Sequence, residues 1–125
     1  SIASTFNNNH DVSTTISCES LVVNMDEAVP LAMIINELIT NSFKYAFGKR
    51  KNGKIQLWSE VENDNRYIHY KDNGPGMPAE AVTAKGQKLG MTLIRLMVGQ
   101  LNGSIINKGN ETGLYFIIEL PVLPQ

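Results

Sequence analysis

The residues best suited to chemistry lie within Asn36-Glu37-Leu38-Ile39-Thr40-Asn41-Ser42-Phe43-Lys44-Tyr45-Ala46-Phe47. At roughly 100° per residue, Ile34, Ile35, Leu38, Ile39, Phe43 and Ala46 fill about half of a helical wheel. Asn36, Glu37, Thr40, Asn41 and Lys44 share an arc about 140° wide. Glu37 and Asn41 are four apart and stack on one face, and Tyr45 continues that row. A solvated face is normally rich in Lys, Glu and Gln. This one offers an acid, two short amides, a hydroxyl and a base, a set that can ligate a hard cation through oxygen and touch its anionic partner. An ordinary amphipathic helix is the competing reading, and the segment alone does not choose between them.

Two downstream stretches add to it. Asp72-Asn73-Gly74-Pro75-Gly76 contains common turn dipeptides, so a hairpin bend is one reading. A hairpin needs a strand on each side, however, and Met77-Pro78-Ala79-Glu80-Ala81 is a poor strand. The favoured reading is a loop where a flat ligand approaches bare backbone at Gly74 and Gly76, with Asp72 accepting hydrogen bonds from an amine. Lys85-Gly86-Gln87-Lys88-Leu89-Gly90-Met91 places two glycines and two lysines at the opening of a helix, a ready anion site. Gly90 in the first turn costs about 1 kcal/mol of helix propensity, which suits a close backbone approach. A simple turn fits that stretch equally well. It is neither a P-loop nor a dinucleotide fingerprint.

The elements that must position these residues follow from periodicity. Residues 1–11 are expected as loop or a frayed start. Val12, Thr14, Ile16 and Cys18 alternate as a half-buried strand, and Leu21-Val22-Val23 is a short extension or a second strand. Asn24 or Asp26 caps a helix that runs to about Phe47, where Gly48 stops it, with Pro30 tolerable only near the start. An antiparallel pair through Ile55 to Val61 and Tyr67 to Lys71 delivers the chain to Asp72. Residues through Lys88 read as irregular. A helix from Leu89 to Leu101 ends at Gly103, and strands at Ile105-Ile106 and Leu114–Leu120 follow. This order describes an α+β two-layer sandwich, a mixed sheet covered on one face by helices.

Composition bounds the rest. A chain of 125 residues is one domain by prior, here residues 1–125. Eleven basic against twelve acidic residues leave a net charge of −1, so there is no global electrostatic case for nucleic acid or an anionic membrane. The single Cys18 excludes an internal disulfide and a cysteine metal cluster. No apolar run reaches the length of a membrane span, and the first residues lack signal-peptide regions, so the chain is expected to be cytosolic, even where it is part of a longer, membrane-anchored protein.

As an ordered set, Asn36-Glu37-Leu38-Ile39-Thr40-Asn41, Asp72-Asn73-Gly74-Pro75-Gly76 and Gly86-x-x-Leu89-Gly90 resemble the N-box and the two glycine boxes of the GHKL (Bergerat) ATP-binding fold. The run Leu89-Gly90-Met91-Thr92-Leu93-Ile94 into Val98-Gly99-Gln100-Leu101-Asn102-Gly103 resembles the catalytic domain of bacterial two-component sensor histidine kinases. The resemblance covers about residues 12–121. It implies that Asn41 holds Mg²⁺ between the phosphates of ATP, and that Glu37 orients or deprotonates an attacking group. Lys44 would touch phosphate, and Tyr45 would line the adenine or ribose. Asp72 would accept the adenine amine, within a pocket shaped by Gly74, Gly76 and Met77. Residues from about Pro78 to Lys88 would form a lid hinged at Gly86, Leu89 and Gly90, with Lys85 and Lys88 either touching phosphate or merely solvated.

The implied reaction is transfer of the γ-phosphoryl group to a histidine on a helical phosphoacceptor domain of the same full-length protein, a homodimer that serves a response regulator. His10 and His69 lack that acceptor's helical context and read as structural or incidental. One departure stands out: the family's last strand usually opens with Gly-Thr, whereas here Gly113 is followed by Leu114 and Thr112 is displaced. The lid is also short. An anti-sigma serine kinase, a GHKL ATP hydrolase and a docking module with a decayed pocket are the alternative readings.

Overall fold

The computed structural model describes residues 4–7, 12–47, 52–74, 85–109 and 113–122. Strands β1 (Ser4–Asn7) and β2 (Val12–Ser17) precede α1 (Met25–Asn41), which continues as a π-helical segment (Ser42–Phe47). Then come β3 (Gly53–Glu62), β4 (Asn65–Asp72), α2 (Lys85–Gln100), β5 (Ser104–Asn107) and β6 (Tyr115–Pro121). The described strands form one sheet in the order β1-β2-β3-β4-β6-β5. Within it β2 and β3, the pair joined through α1, run parallel, and the other neighbours are antiparallel.

Alternation along the strands decides which face the helices cover. Ile55 and Leu57 of β3, Ile68 and Tyr70 of β4, and Phe116, Ile118 and Leu120 of β6 point to one side. There they meet Leu31, Ile34 and Leu38 of α1 and Met91, Ile94 and Val98 of α2. Burying each large side chain of this kind is worth about 1.5–3 kcal/mol. The result is the expected α+β sandwich. On the opposite side Trp58 stacks on His69 with ring centroids 4.7 Å apart, and Tyr115 closes over both.

Local differences from the sequence expectations have physical causes. Residues 4–7, expected as loop, pair with β2 as an edge strand, because the open side of β2 supplies backbone partners that polar side chains do not forbid. Leu21 to Val23 form no strand; a turn, with Leu21 N–H bonded to the Cys18 carbonyl 3.1 Å away, bends the chain towards α1 instead. Pro30 lies in the second turn of α1 rather than at its start. The long helix is α-helical to Asn41 and π-helical from Ser42 to Phe47, so the assumed 3.6 residues per turn hold only as far as Asn41. Helix α2 begins at Lys85, not Leu89, which puts Gly90 in its second turn. Its end is a Schellman motif in which Asn102, at φ 55°, takes the left-handed position and Gly103 N–H reaches the Val98 carbonyl at 3.0 Å.

The far end of the sandwich is held by a charged clasp. Asn24 caps α1 in a capping box with Glu27. Glu27 also accepts from both terminal guanidinium nitrogens of Arg66, at 2.9 and 2.7 Å. Arg66, 3% exposed, bonds the carbonyls of Val22 and Pro121 as well, so helix start, β4 and the end of β6 share one cation. The Arg66 hydrogen bonds hold the Glu27 carboxyl below the usual glutamate value. A depressed folded value means that the stabilisation is present at neutral pH and is lost as pH falls through that value. Arg66→Ala is expected to cost about 3–5 kcal/mol by stranding Glu27. In urea melts, the deficit of Glu27→Gln against wild type should be clear at pH 7 and should shrink at about pH 3.

Candidate functional site

Asp72 is the last residue of β4 and is 1% exposed. A buried carboxylate needs donors, and three are supplied. Its Oδ1 accepts from the N–H groups of Gly74 at 3.0 Å and Leu114 at 2.9 Å; its Oδ2 accepts from the Ser42 hydroxyl at 2.7 Å. The bond to Gly74 is an Asx-type turn, which explains why a short acid precedes Asn-Gly here. Asn73 holds the turn down from outside: it bonds Lys54 N–H at 2.6 Å and the Asn52 carbonyl at 3.0 Å.

The side opposite Gly74 is built by Gly113 and Leu114. Gly113 has φ 142°, and a Cβ there would overlap the Asp72 carbonyl oxygen. Only glycine admits that approach. Leu114 then pairs with Asp72 through backbone, while its side chain, 4% exposed, joins the core. The side chain in the position where the resembled family carries threonine therefore packs inwards, and its N–H reaches the acid. Thr112, the other candidate, lies outside the described residues.

Ser42 connects this acid to the helix. It is fully buried, and its hydroxyl lies between Asp72 and the phenol of Tyr70, which also bonds the Leu38 carbonyl at 3.1 Å. Burial, chiefly, pushes the Tyr70 phenol far above its ordinary value; the Asp72 charge adds to this and the Ser42 hydrogen bond opposes it. The phenol is thus a permanent donor. Sequence reasoning missed Ser42 and Tyr70. The available signal was the period of two that puts Tyr70 on the same face as Asp72.

One residue before Ser42, Asn41 is 5% exposed and its Nδ2 is buried without a hydrogen-bond partner. An orphan buried donor of this kind is unusual, and an acceptor from outside the chain, such as a phosphate oxygen, would satisfy it. Across from it stands Gly90 of α2. A Cβ on Gly90 would lie 2.9 Å from Glu37 Oε2 and 3.5 Å from Asn41 Nδ2. Glu37, Asn41 and the bare backbone of α2 therefore meet. Among the described residues no group of three or more His, Cys, Asp or Glu could hold a metal. Asn41 suits an ion such as Mg²⁺, which takes few protein ligands and shares substrate phosphates.

The other expected residues divide. Lys44 is exposed, two residues beyond Ser42, and Gly74 is buried beside Asp72. Tyr45 lies in the π-helical segment, and Lys85, Gly86, Lys88 and Leu89 form the start of α2. Gly76, Met77, the rest of the lid stretch to residue 84 and His10 lie outside the described residues. His69 is built into the outer sheet face, bonded to Tyr115 at 2.8 Å and Glu60 at 2.6 Å, which fits a structural role.

A family model described as histidine kinase-, DNA gyrase B-, and HSP90-like ATPase matches residues 26–124. The chain belongs to that family. Blue-light-activated histidine kinase 2 of Erythrobacter litoralis is 24% identical over 115 residues, covering 91% of this chain and 33% of that protein. Sensor histidine kinase PdtaS of Mycobacterium tuberculosis is 28% identical over 104 residues, covering 81% of this chain and 21% of the relative. The chain thus spans a third or less of these relatives. Among solved structures, the histidine kinase domain of an Erythrobacter litoralis blue-light activated histidine kinase superposes with a TM-score of 0.78 at 23% identity, covering 90% of this chain and 52% of that one. The catalytic domain of histidine kinase ThkA gives 0.71 at 20% identity, covering 97% and 96%. These relatives are named as histidine kinases, and the solved structures share the fold of this chain. No helix among the described residues is long and apolar enough to cross a membrane.

If the Gly113 approach fixes Asp72, Gly113→Ala should lower stability by more than about 2 kcal/mol in urea melts. Gly90→Ala meets only the far end of the Glu37 side chain, and should leave the melt within about 1 kcal/mol of wild type.

Proposed function

We propose that the domain binds Mg–ATP and donates the γ-phosphoryl group to a histidine on a separate helical domain of the full-length protein. That protein would be a homodimer working in the cytosol and passing the phosphoryl group on to a response regulator. The observation that carries the reading is the pairing of a buried, pre-oriented carboxylate with an unpartnered buried amide, on adjoining elements. A carboxylate has about four acceptor positions, and three on Asp72 are filled. The fourth suits the 6-amino group of adenine, with Gly74, Gly76 and Met77 around the base and Tyr45 or Thr112 at its edge.

In this reading Asn41 holds Mg²⁺ against the phosphates, and the ion neutralises charge on the group being transferred. Lys44 and the start of α2, with Lys85, Gly86, Lys88, Leu89 and Gly90, receive phosphate oxygens at a helix N-terminus. Glu37, beside Gly90, orients the attacking imidazole nitrogen or takes its proton. The bond from γ-phosphorus to the bridging oxygen breaks as the bond to that nitrogen forms, so the catalytic task is mainly positioning. The acceptor histidine comes from outside this chain.

Calorimetric titration of ATP with and without Mg²⁺ tests the assignment. Asp72→Asn turns a donor towards the amine and should weaken ATP binding by at least about tenfold. Asn41→Ala should remove the Mg²⁺-dependent part of the affinity and leave binding in EDTA near wild type. Absence of ATP binding would favour a docking module over an ATP site, and binding indifferent to the Asp72 change would overturn the site assignment.

A further inference from the structure

We propose that Ser42 is a positioning residue for base selectivity, fixing which lone pair of Asp72 the ligand can use. This rests on the ATP reading above. Both positions of Oδ1 are taken by backbone N–H groups, so the opening must be on Oδ2. Ser42 occupies one side of Oδ2 and leaves one free.

The hydroxyl cannot easily turn round. Ser42 and Tyr70 are fully buried, so bulk water does not compete for these two hydroxyls. The Tyr70 phenol carries one proton, shared between the Leu38 carbonyl and Ser42 Oγ. With its acceptor side facing that phenol, Ser42 has its own proton for the carboxylate alone. Asp72 therefore stays an acceptor of fixed orientation. An amino group at position 6 of a purine can donate to the remaining lone pair, and a carbonyl there is repelled. Because Asn41 is the preceding residue of the same helix, the base-reading acid and the phosphate-side amide are set by one backbone segment.

The test is calorimetric titration with ATP and with purine riboside triphosphate, which lacks only the 6-amino group. Wild type should prefer ATP. Ser42→Ala should lose about tenfold for ATP and little for the analogue, so that the preference collapses. Tyr70→Phe keeps the ring in the core and should reduce the preference by a smaller factor; it decides the matter where Ser42→Ala does not fold. A wild type that binds neither compound, or both equally, defeats the ATP reading or its amine contact. A wild type that prefers ATP, with variants keeping the full preference or weakening both compounds alike, overturns the role of Ser42 and leaves the ATP reading standing.

Discussion

A carboxylate buried at the end of a central strand is tolerable only if donors are already in place, and here they come from three separate parts of the chain. Gly74 contributes from the turn that follows β4, Leu114 from the entry to β6, and Ser42 from the end of the long helix. Each donor requires its own local device. The turn needs a residue that can fold back on its neighbour's side chain, the entry to β6 needs a glycine at φ 142°, and the helix needs to change pitch after Asn41. Folding and site formation are therefore one event. The packing of α1 on β4 that buries Leu38 against Tyr70 also brings the hydroxyl to the acid.

That arrangement divides the sandwich into two functional ends. At one, Arg66 and Glu27 pair within a closed set of hydrogen bonds and tie helix start to strand ends. At the other, the polar set is incomplete by design of its geometry: Asp72 retains an acceptor position, and Asn41 Nδ2 has no partner. Closed networks rigidify, whereas open ones await an atom from outside. The antiparallel α1 and α2 bring Gly90 to the open end, where the lack of a side chain lets α2 approach Glu37 and Asn41 closely.

Much of this was legible in the residues. Asn24 was one of two candidate caps for the long helix, alternation in residues 55–61 and 67–71 announced the hairpin, and Glu37, Asn41 and Asp72 stood out as polar residues that a plain core or surface does not need. The failures were tertiary. A serine next to Asn41 reads as one more small polar residue until β4 is laid beside the helix. Tyr70 reads as core, which it is, without revealing that its hydroxyl has a task. Ser4, Thr5, Phe6 and Asn7 hold one apolar residue and no repeating pattern, and the open edge of β2 supplies the partners of their strand. Helix α2 starts four residues before Leu89, and Lys85 to Lys88 carry no apolar period that would have revealed it. Leu114 in place of threonine looked like a missing contact; the structure shows the same position reaching the acid through its backbone.

The most direct measurement is a crystal structure of the domain with Mg²⁺ and a non-hydrolysable ATP analogue. The account predicts the adenine 6-amino group within hydrogen-bond distance of Asp72 Oδ2, and the metal against Asn41, with the bonds from Ser42, Gly74 and Leu114 retained. A nucleotide seated elsewhere, with Asp72 closed off by those same three donors, would contradict it.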